Sequence, residues 1–350
     1  MKVILVSDTH LDRHSNYPGK LMSDLAALKK VYAYAVDHGI NMVFNLGDIF
    51  EKNNKIDAAI YGNVFDTVAR YYHEYSIITV IVPGNHDMYN RNNFNECVLR
   101  PFGSCFESEQ DIYRYKSLQS NMVAWKPTIL TVGSCKVALI PYSDDSKQTE
   151  SWLEQIGRVD YVFGHFSVKG LAEHIDNAIL PDKVNVGLFK KAFLGHYHKR
   201  VDAGPYCHIG AMSQRNFGEE GNPTGFTVLD IDGSIGPAYI HYDIEGLMKF
   251  KTAGIKNQEE YVMFKDMVNK GKFKDYFMRV VYGTSSKKVT RNFDKEIDFS
   301  LDKKSDRTSY DIDSDIKALM KDYADTHCQL KNLDKVLARG YQMLEEVNNG

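Results

Sequence analysis

The sequence predicts an α/β sandwich in which mixed β-sheets are flanked by helices. Short, continuously apolar segments alternate with helix-like segments through the first 85 residues, and further apolar segments continue to residue 231. Strands that are apolar on both faces belong to a sheet whose two faces are both covered. Most of the turns after these strands carry aspartate, asparagine or histidine. One edge of the sheets is therefore expected to be polar.

The predicted elements begin with a regular strand–helix alternation. Residues 2–7 (KVILVS) read as a buried strand, and the first helix covers residues 21–36. Residues 90–121 are polar and irregular, which indicates a surface excursion. Strands are predicted at residues 2–7, 41–46, 77–82, 128–132, 137–140, 161–163, 192–194 and 225–231. Helices are predicted at residues 21–36, 57–75 and 148–156.

Composition sets limits on the class of protein. A chain of 350 residues suits one large domain with an appendage, or two domains, and its 43% hydrophobic content supplies a core. No apolar run reaches the roughly 18–20 residues of a membrane span, and the N-terminal MKVILVSDTH reads as a buried strand and not as a signal peptide. We therefore expect no membrane association.

Five scattered cysteines without a CxxC pair indicate thiols in a reducing compartment. The expected location is the cytoplasm. The net charge of −3 does not indicate a nucleic-acid binder. Any contact with DNA would have to come from a local basic surface or from bound metal ions.

The character of the chain changes after Asp243. Residues 270–295 contain eight basic and two acidic side chains, with a short strand predicted at residues 277–282. This stretch either clamps duplex DNA through phosphate contacts or is a solvated charged face. From residue 315 onward apolar residues recur at three- and four-residue steps, which predicts a helix. That helix either packs on its own domain or docks a partner.

The residues that carry the chemistry follow the predicted strands. Ligands at the carboxyl ends of strands in an open α/β sheet converge on one crevice. A single DxH or GD pair is weak evidence, but five such motifs in order, each at a strand–loop junction, are strong evidence for a site. The motifs are Asp8-Thr9-His10, Gly47-Asp48, Gly84-Asn85-His86-Asp87, Gly164-His165 and Gly195-His196-Tyr197-His198.

These residue types indicate a pair of divalent cations. Carboxylate and amide oxygens mixed with imidazole nitrogens suit Mn, Fe, Zn or Ni, and the absence of thiolates argues against a structural zinc site. A carboxylate can bridge two ions about 3.5–4 Å apart, and such pairs generate hydroxide near neutral pH and neutralise charge on a phosphoryl group. A histidine beside the ligands can protonate the leaving group.

In this order the motifs DxH, GD, GNHD, GH and GHxH resemble the calcineurin-like metallophosphoesterase superfamily over roughly residues 1–240. The resemblance implies a four-layer αββα sandwich with a two-metal site. It implies one metal on Asp8, His10, Asp48 and His198, and a second on Asp48, Asn85, His165 and His196, with Asp48 bridging. His86 would be the general acid or transition-state stabiliser. Asp87 is expected to brace its loop.

Three features resemble the SbcD-type DNA-repair nucleases within this superfamily. Gly47-Asp48 continues as IFEKN, without the Asp-Arg-Gly of protein Ser/Thr phosphatases, and Gly164-His165 continues as FSVKG. Residues 209–219 and 224–226 are similar to the GSxxRxxFxE…KGF segment of those nucleases. The resemblance implies a manganese-dependent DNA exonuclease and endonuclease for recombination and repair, with Mg²⁺ or other divalent ions as alternatives. It also implies an SbcC-type, SMC-like ATPase as partner and leaves a homodimer open. The chain length suits the short phage-type subunit of this group, for which the expected location is the host cytoplasm.

This resemblance predicts three parts. Residues 1–243 would be the nuclease domain, residues 244–312 a small α+β capping domain that binds DNA, and residues 313–350 a helical tail that docks the ATPase. Three departures from the family pattern are Glu51, where His or Asp is frequent, Ala211-Met212 in place of Ser-Pro, and Thr224, where Lys is common. Glu51 leaves open how the general acid is oriented.

Several alternatives remain at this stage. Arg91 and Arg215 lie beside the metal motifs and either contact DNA phosphates or are ordinary surface cations. A small-molecule phosphodiesterase or phosphatase of the same superfamily is the chief alternative function. A non-catalytic scaffold is a third, although such a protein has no reason to keep an intact ligand set. Among the histidines outside the motifs, His208 lies nearest to them in sequence.

Overall fold

The computed structural model of the chain describes residues 1–14, 16–52, 55–88, 97–103, 120–171, 178–179, 185–232 and 238–282. These residues fall within one compact unit, Met1–Asp294. Arg91, most of the predicted excursion at residues 90–121, the end of the basic stretch after residue 282 and the predicted helical tail at residues 313–350 lie outside the described residues.

The first sheet has six strands in the order β12-β11-β1-β2-β3-β4. Strands β1 to β4 run parallel. On the other side of β1, β11 is antiparallel to β1, and β12 is antiparallel to β11. The carboxyl ends of β1, β2 and β3 therefore meet at one edge of this sheet. The bounds are β1 Lys2–Val6, β2 Met42–Asn45, β3 Ile78–Ile81, β4 Met122–Val123, β11 Gly225–Asp230 and β12 Ala238–Asp243.

The second sheet also has six strands, in the order β5-β6-β7-β8-β10-β9. Strands β6, β7, β8 and β10 are parallel, and the two outer strands β5 and β9 are antiparallel to their neighbours. The bounds are β5 Thr128–Val132, β6 Cys135–Ile140, β7 Tyr161–Gly164, β8 Lys191–Leu194, β9 Val201–Ala203 and β10 Tyr206–His208.

Helices cover the outer face of each sheet. Helices α1 (Lys20–Asp37) and α2 (Ala58–Tyr75) bury apolar side chains against the first sheet, and α3 (Ser146–Gln155) does the same against the second. The inner faces of the two sheets pack on each other, and the rings of Phe44 and Phe163 meet there with centroids 4.8 Å apart. The predicted αββα sandwich is confirmed.

Helix α2 shows how local sequence sets an element. Its start is defined by Asp57, whose carboxylate accepts the backbone N–H groups of Ala59 (2.9 Å) and Ile60 (3.3 Å). Its buried residues recur at helical spacing, at Ile60, Val64, Thr67 and Val68. The helix therefore presents one apolar face to the sheet and leaves the opposite face to solvent.

A smaller unit follows β12. Strands β13 (Lys249–Ile255) and β14 (Tyr276–Tyr282) form a parallel pair connected through helix α4 (Gln258–Asn269). It packs on the sandwich through Phe250, whose ring lies 4.9 Å from that of Tyr17. Of these three elements the sequence predicted only β14, and the boundary at residues 243/244 stays a prediction. In the part of the chain described above, no helix is both long and apolar enough to cross a membrane.

Candidate metal centre

The motif residues meet at the edge where the strands of both sheets end. Asp8 and His10 follow β1, Asp48 follows β2, and Asn85 and His86 follow β3. From the second sheet, His165 follows β7, and His196 and His198 follow β8. Three groups of these side chains bring one ligand atom from each member within 4.8 Å of the others. The groups are Asp8 with His10 and His198, His10 with Asp48 and His86, and Asp48 with His165 and His196.

Four of these residues have backbone conformations that residues other than glycine seldom adopt. Asp8 (φ 53°), His10 (φ 44°), Asp48 (φ 54°) and His196 (φ 75°) all lie in the left-handed region. A non-glycine residue in this region costs roughly 1–2 kcal/mol. Such strain accumulates at functional sites, where the surrounding structure holds the side chains in place.

The glycines of the motifs permit the close approach of the loops. A Cβ on Gly84 would lie 2.6 Å from Cε1 of His165 and 2.7 Å from the backbone nitrogen of Asp48. A Cβ on Gly47 would lie 2.6 Å from the backbone nitrogen of Gly84, and its φ of 98° also favours glycine. The repeated pairing of glycine with a ligand residue therefore has a steric cause.

The first group of donors comprises Asp8, His10, Asp48 and His198. The Nε2 atoms of His10 and His198 lie 3.0 Å apart. Oδ1 of Asp8 lies 3.7 Å from Nε2 of His198 and 4.0 Å from Nε2 of His10. Oδ2 of Asp48 lies 3.6 Å from Nε2 of His10. All four side chains therefore direct donor atoms into one small volume.

The second group comprises Asp48, Asn85, His165 and His196. Nε2 of His165 lies 3.3 Å from Oδ2 of Asp48 and 3.2 Å from Oδ1 of Asn85. The ring of His196 lies 5.0 Å, centroid to centroid, from that of His165. Because the same oxygen of Asp48 faces His10 on one side and His165 on the other, Asp48 occupies the position between the two groups.

Burial and charge shift the pKa values of these groups strongly. Burial disfavours the ionised carboxyl of Asp48, but His165 and His10 outweigh it and hold the pKa of Asp48 well below its usual value. Burial likewise disfavours a charged His165, but the Asp48 carboxylate raises its pKa to about 9. Burial, reinforced by the charge of His165, lowers the pKa of His196 to about 3. The carboxylate at the centre thus stays ionised.

The donor set fits divalent cations. Nδ1 of His165 donates its proton to the backbone oxygen of Leu46 (2.6 Å), so Nε2 is the nitrogen that faces the oxygens of Asp48 and Asn85. A divalent cation bound here would replace the proton that the raised pKa of His165 keeps on Nε2. The Nε2 atoms of His10 and His198, 3.0 Å apart, are close enough for both rings to bind one ion.

His86 lies beside the donors with a fixed ring. Its Nδ1 donates to the backbone oxygen of Glu51 (2.6 Å), and its backbone N–H donates to Oδ1 of Asp48 (2.8 Å). The ring meets that of His10 edge to face, with centroids 4.8 Å apart. Because a backbone carbonyl holds Nδ1, the Glu side chain at position 51 does not decide how His86 is oriented.

Asp87 is buried behind the site. Its carboxylate accepts the backbone N–H groups of Asp48 (2.7 Å), Gly84 (2.9 Å) and Ile49 (3.1 Å). It therefore ties the loop after β3 to the loop after β2, in agreement with the expectation that it braces its loop.

Three residues of the site were not singled out as functional from the sequence. Glu51 and Glu219 carry carboxylates next to His10 and His198, and the ring of Tyr142 lies 5.3 Å from that of His196. The strand-end rule would have found Tyr142, which follows β6. Glu219 ends the 209–219 segment that resembles the nucleases, but nothing in the sequence pairs it with His198, since the two meet only in the folded chain.

The remaining candidates have different surroundings. The guanidinium of Arg215 pairs with the carboxylate of Glu51, and Arg91 lies outside the described residues. Their predicted contacts with DNA stay predictions. His208 is fully buried, and its Nδ1 donates to the backbone oxygen of Gly195 (3.1 Å). It supports the loop of His196 from behind.

The fold and the donor set define a metal-dependent phosphoesterase. Residues 1–200, more than half of the chain, match the calcineurin-like phosphoesterase family. The chain belongs to this family, which confirms the superfamily predicted from its motifs. The residues described above fit the divalent dimetal site of the family.

Among curated proteins, the chain is similar to exonuclease subunit 1 of Enterobacteria phage T4. The two are 23% identical over 268 residues, which cover 72% of this chain and 74% of the phage protein. This supports the nuclease-type branch of the family.

Solved structures with a related arrangement include a dimetal phosphatase from Danio rerio and a nuclease from Pseudomonas putida. The phosphatase is 15% identical with a TM-score of 0.38, and the match covers 69% of this chain and 99% of the other. The nuclease is 14% identical with a TM-score of 0.29, and the match covers 68% and 87%. At these TM-scores the two carry no argument about substrate.

Proposed function

We propose that the chain is a two-metal DNA nuclease that hydrolyses phosphodiesters in recombination and repair. The hydrolytic part rests on one observation, that six donor side chains from both sheets meet around the carboxylate of Asp48, with His86 beside them. An intact donor set of this kind argues against a non-catalytic scaffold. DNA as the substrate is supported by the similarity to the phage exonuclease subunit, whose 268 aligned residues exceed the 200 matched to the family.

We assign the donors to two ions. Asp8, His10, Asp48 and His198 would hold one ion, and Asp48, Asn85, His165 and His196 the other. When bound, such a pair activates water near neutral pH and neutralises charge on the phosphoryl oxygens. Manganese is the proposed ion, because mixed oxygen and imidazole donors suit it.

His86 is the proposed general acid. Its Nδ1 proton is engaged by the carbonyl oxygen of Glu51, so Nε2 is the atom that faces a substrate. Protonated at Nε2, the ring would donate to the leaving oxygen of the cut phosphodiester, or to charge that develops on the phosphate. The backbone N–H of His86 donates to Asp48 and its Nδ1 donates to Glu51, so the backbone and the ring are both held beside the donors.

The proposed substrate and partner need surfaces beyond the donors. Arg91 and the basic residues at 270–295 are the proposed DNA contacts, and residues 313–350 the proposed dock for an SMC-like ATPase. Arg215 stays a predicted contact only, because its guanidinium is already paired with the carboxylate of Glu51. The relative is named as a subunit, which supports a complex of more than one chain. A homodimer is also proposed for test.

The function is tested by manganese-dependent hydrolysis of a labelled linear DNA duplex. Wild type is compared with His86→Ala, with a chromogenic phosphodiester as a second substrate and with the ATPase subunit present or absent. We expect DNA shortening by wild type and a loss of about 10²–10⁴-fold in His86→Ala. Metal content should be equal in the two proteins, because His86 is not assigned as a ligand.

Each outcome has a distinct meaning. Turnover of the chromogenic substrate with intact DNA under both conditions would replace the nuclease by a small-molecule phosphodiesterase. DNA cleavage that needs the ATPase would support the proposed complex. Undiminished activity in His86→Ala would remove the acid role from this residue.

A further inference from the structure

Each histidine of the first donor group has a carboxylate behind it. Nδ1 of His198 lies 2.6 Å from Oε1 of Glu219, and Nδ1 of His10 lies 3.1 Å from Oε2 of Glu51. The Nε2 atoms of the same two rings face each other at 3.0 Å. A hydrogen bond from outside the donor group thus orients the ring of His198, and the ring of His10 has the Glu51 carboxylate within ion-pair distance behind it.

One residue joins the two carboxylates. The guanidinium of Arg215 pairs through Nη2 with Oε1 of Glu51, and the backbone N–H of Arg215 donates to Oε2 of Glu219 (2.7 Å). Glu51 and Glu219 are mostly buried, with side chains 16% and 13% exposed, and Arg215 is 32% exposed. The side chain of Arg215 therefore contacts the carboxylate behind His10, and its backbone contacts the carboxylate behind His198.

The segment that carries Arg215 is held firmly. The neighbouring Ser213 hydroxyl accepts Nζ of the buried Lys20 (3.0 Å), which also pairs with Asp24. The Gln214 side chain accepts the backbone N–H of Phe250 (2.8 Å) and donates to the backbone oxygen of Asn222 (3.3 Å). Arg215 is therefore presented to Glu51 by anchored backbone.

This arrangement is the kind of support that a metal-binding histidine requires. A histidine that binds a metal through one nitrogen needs an acceptor for the proton on the other, and that acceptor fixes the tautomer and the rotation of the ring. Glu51 would otherwise be a mostly buried carboxylate without a permanent cation beside it, and the guanidinium of Arg215 offsets its charge. Removing such outer partners weakens metal affinity by about 10–100-fold.

We propose that Arg215 is a positioning residue for the metal site of Asp8, His10, Asp48 and His198, and not primarily a DNA contact. Its guanidinium holds Glu51 against His10, while its main chain holds Glu219 against His198. The inference rests on the proposed two-metal function. It differs from that proposal in that Arg215 acts on metal binding before any substrate is present.

The test is a calorimetric titration of the full-length, metal-free protein with Mn²⁺ alone. Wild type is compared with Arg215→Ala, Arg215→Lys and Glu51→Gln. Arg70→Ala is the matched control, because Arg70 pairs with Glu74 on the exposed side of α2 (2.9 Å). Visible absorption of the Co²⁺-loaded proteins reports the ligand geometry, which a merely structural role would leave unchanged.

We expect two binding events in wild type. In Arg215→Ala one affinity should fall by about 10–100-fold while the other stays within about twofold. Arg215→Lys should recover part of the loss, because lysine keeps the charge but not the planar fork. Combining Arg215→Ala with Glu51→Gln should add little to either single effect, since both substitutions remove the same support of His10.

Equal Mn²⁺ affinities and equal Co²⁺ spectra in wild type and Arg215→Ala would overturn the inference. The inference would also be overturned if Arg215→Ala bound Mn²⁺ as wild type does but, in a separate measurement with chelator, bound DNA more weakly. Arg215 would then be a phosphate contact. If Arg215→Ala does not fold, Arg215→Lys and Glu51→Gln carry the comparison. If wild type binds two ions but leaves DNA intact, the proposed nuclease function is overturned. The Mn²⁺ affinities of wild type and the Arg215 variants still test the role of Arg215.

Discussion

Asp8, His10, Asp48 and His196 hold left-handed backbone conformations at the ends of strands from both sheets. Each would relax in a free peptide, because the left-handed region costs an ordinary residue roughly 1–2 kcal/mol. The buried hydrogen bonds of Asp87 to three backbone N–H groups help to hold this geometry. At the scale of single residues, the site is therefore maintained by its neighbours and not by local preference.

Gly84 gives the sharpest prediction at this scale. In Gly84→Ala the new methyl group would overlap the carboxylate of Asp48 and lie 2.6 Å from the ring of His165. We expect hydrolysis of the chromogenic phosphodiester to fall by at least about a hundredfold, because a displacement of about 1 Å has this effect. Steady-state kinetics with Mn²⁺ measure it.

Gly62→Ala is the matched control. A Cβ at Gly62, inside α2, meets nothing within 4 Å. The substitution should leave activity unchanged and stabilise the protein by roughly 0.5–1 kcal/mol, because alanine is the better helix former. Similar activity losses in both variants would argue against the steric account of Gly84.

At the scale of elements, the antiparallel pair β11–β12 extends the first sheet beyond β1. The pair is joined by side chains as well as by its backbone. Thr227 and His241 lie opposite each other, with Oγ1 of Thr227 2.6 Å from Nδ1 of His241. Burial, together with the charge of Arg200, lowers the pKa of His241 to about 4 from 6.5. This pairing is therefore sensitive to acid.

The expected effect is a loss of stability on acidification. Between pH 6.5 and pH 4 the unfolded chain takes up a proton at His241 that the folded chain resists, so the free energy of unfolding falls as pH falls. The full shift corresponds to about 3 kcal/mol, but the ring is only half buried, so we expect about 1 kcal/mol. Urea unfolding at pH 7 and pH 5, with chelator present, measures it in wild type and His241→Gln.

His241→Gln should show a smaller decrease between the two pH values than wild type. His73→Gln, at an exposed position of α2, serves as the control and should retain the wild-type decrease. An identical pH dependence in His241→Gln and wild type would assign the acid sensitivity to other groups.

For the whole molecule, the donors come from both sheets. Asp8, His10, Asp48 and Asn85 extend from the first sheet, and His165, His196 and His198 from the second. Between the sheets the contact is otherwise apolar, as in the packing of Phe44 on Phe163. Ions bound at this edge would therefore tie the two sheets together and bind the folded chain in preference to the unfolded one.

Metal binding should accordingly raise thermal stability. At 100 times the dissociation constant, one ion adds about 2.7 kcal/mol to the free energy of unfolding. We expect Mn²⁺ to raise the Tm of wild type over that in chelator, and to raise it much less in Asp48→Asn, which loses the carboxylate between both groups. Asp266→Asn, whose exposed carboxylate pairs with Lys270 on α4, should behave like wild type. Equal shifts in Asp48→Asn and wild type would contradict the bridging position.

Much of the sandwich was predictable because its determinants are local. Apolar strands such as β1 and β3, and the amphipathic helix α2, carry their own periodicity. The strand-end motifs predicted which side chains would share one edge, because parallel strands end together. The edge strand β12, the small strand β9 and the helix α4 escaped prediction, since their patterns are mixed polar and apolar and depend on the neighbours they pack against.

The class of fold and the family were readable from local patterns, and the same patterns predicted the candidate donors at the strand ends. Which groups stand behind those donors depends on contacts that form only in the folded chain. Arg215 meets Glu51 across 164 residues, and Glu219 meets His198 across 21. Such contacts have no periodic or local signature, because they are set by how the loops of two sheets cross in space. The orientation of His86 by a backbone carbonyl is likewise invisible in a sequence, since every residue carries that group.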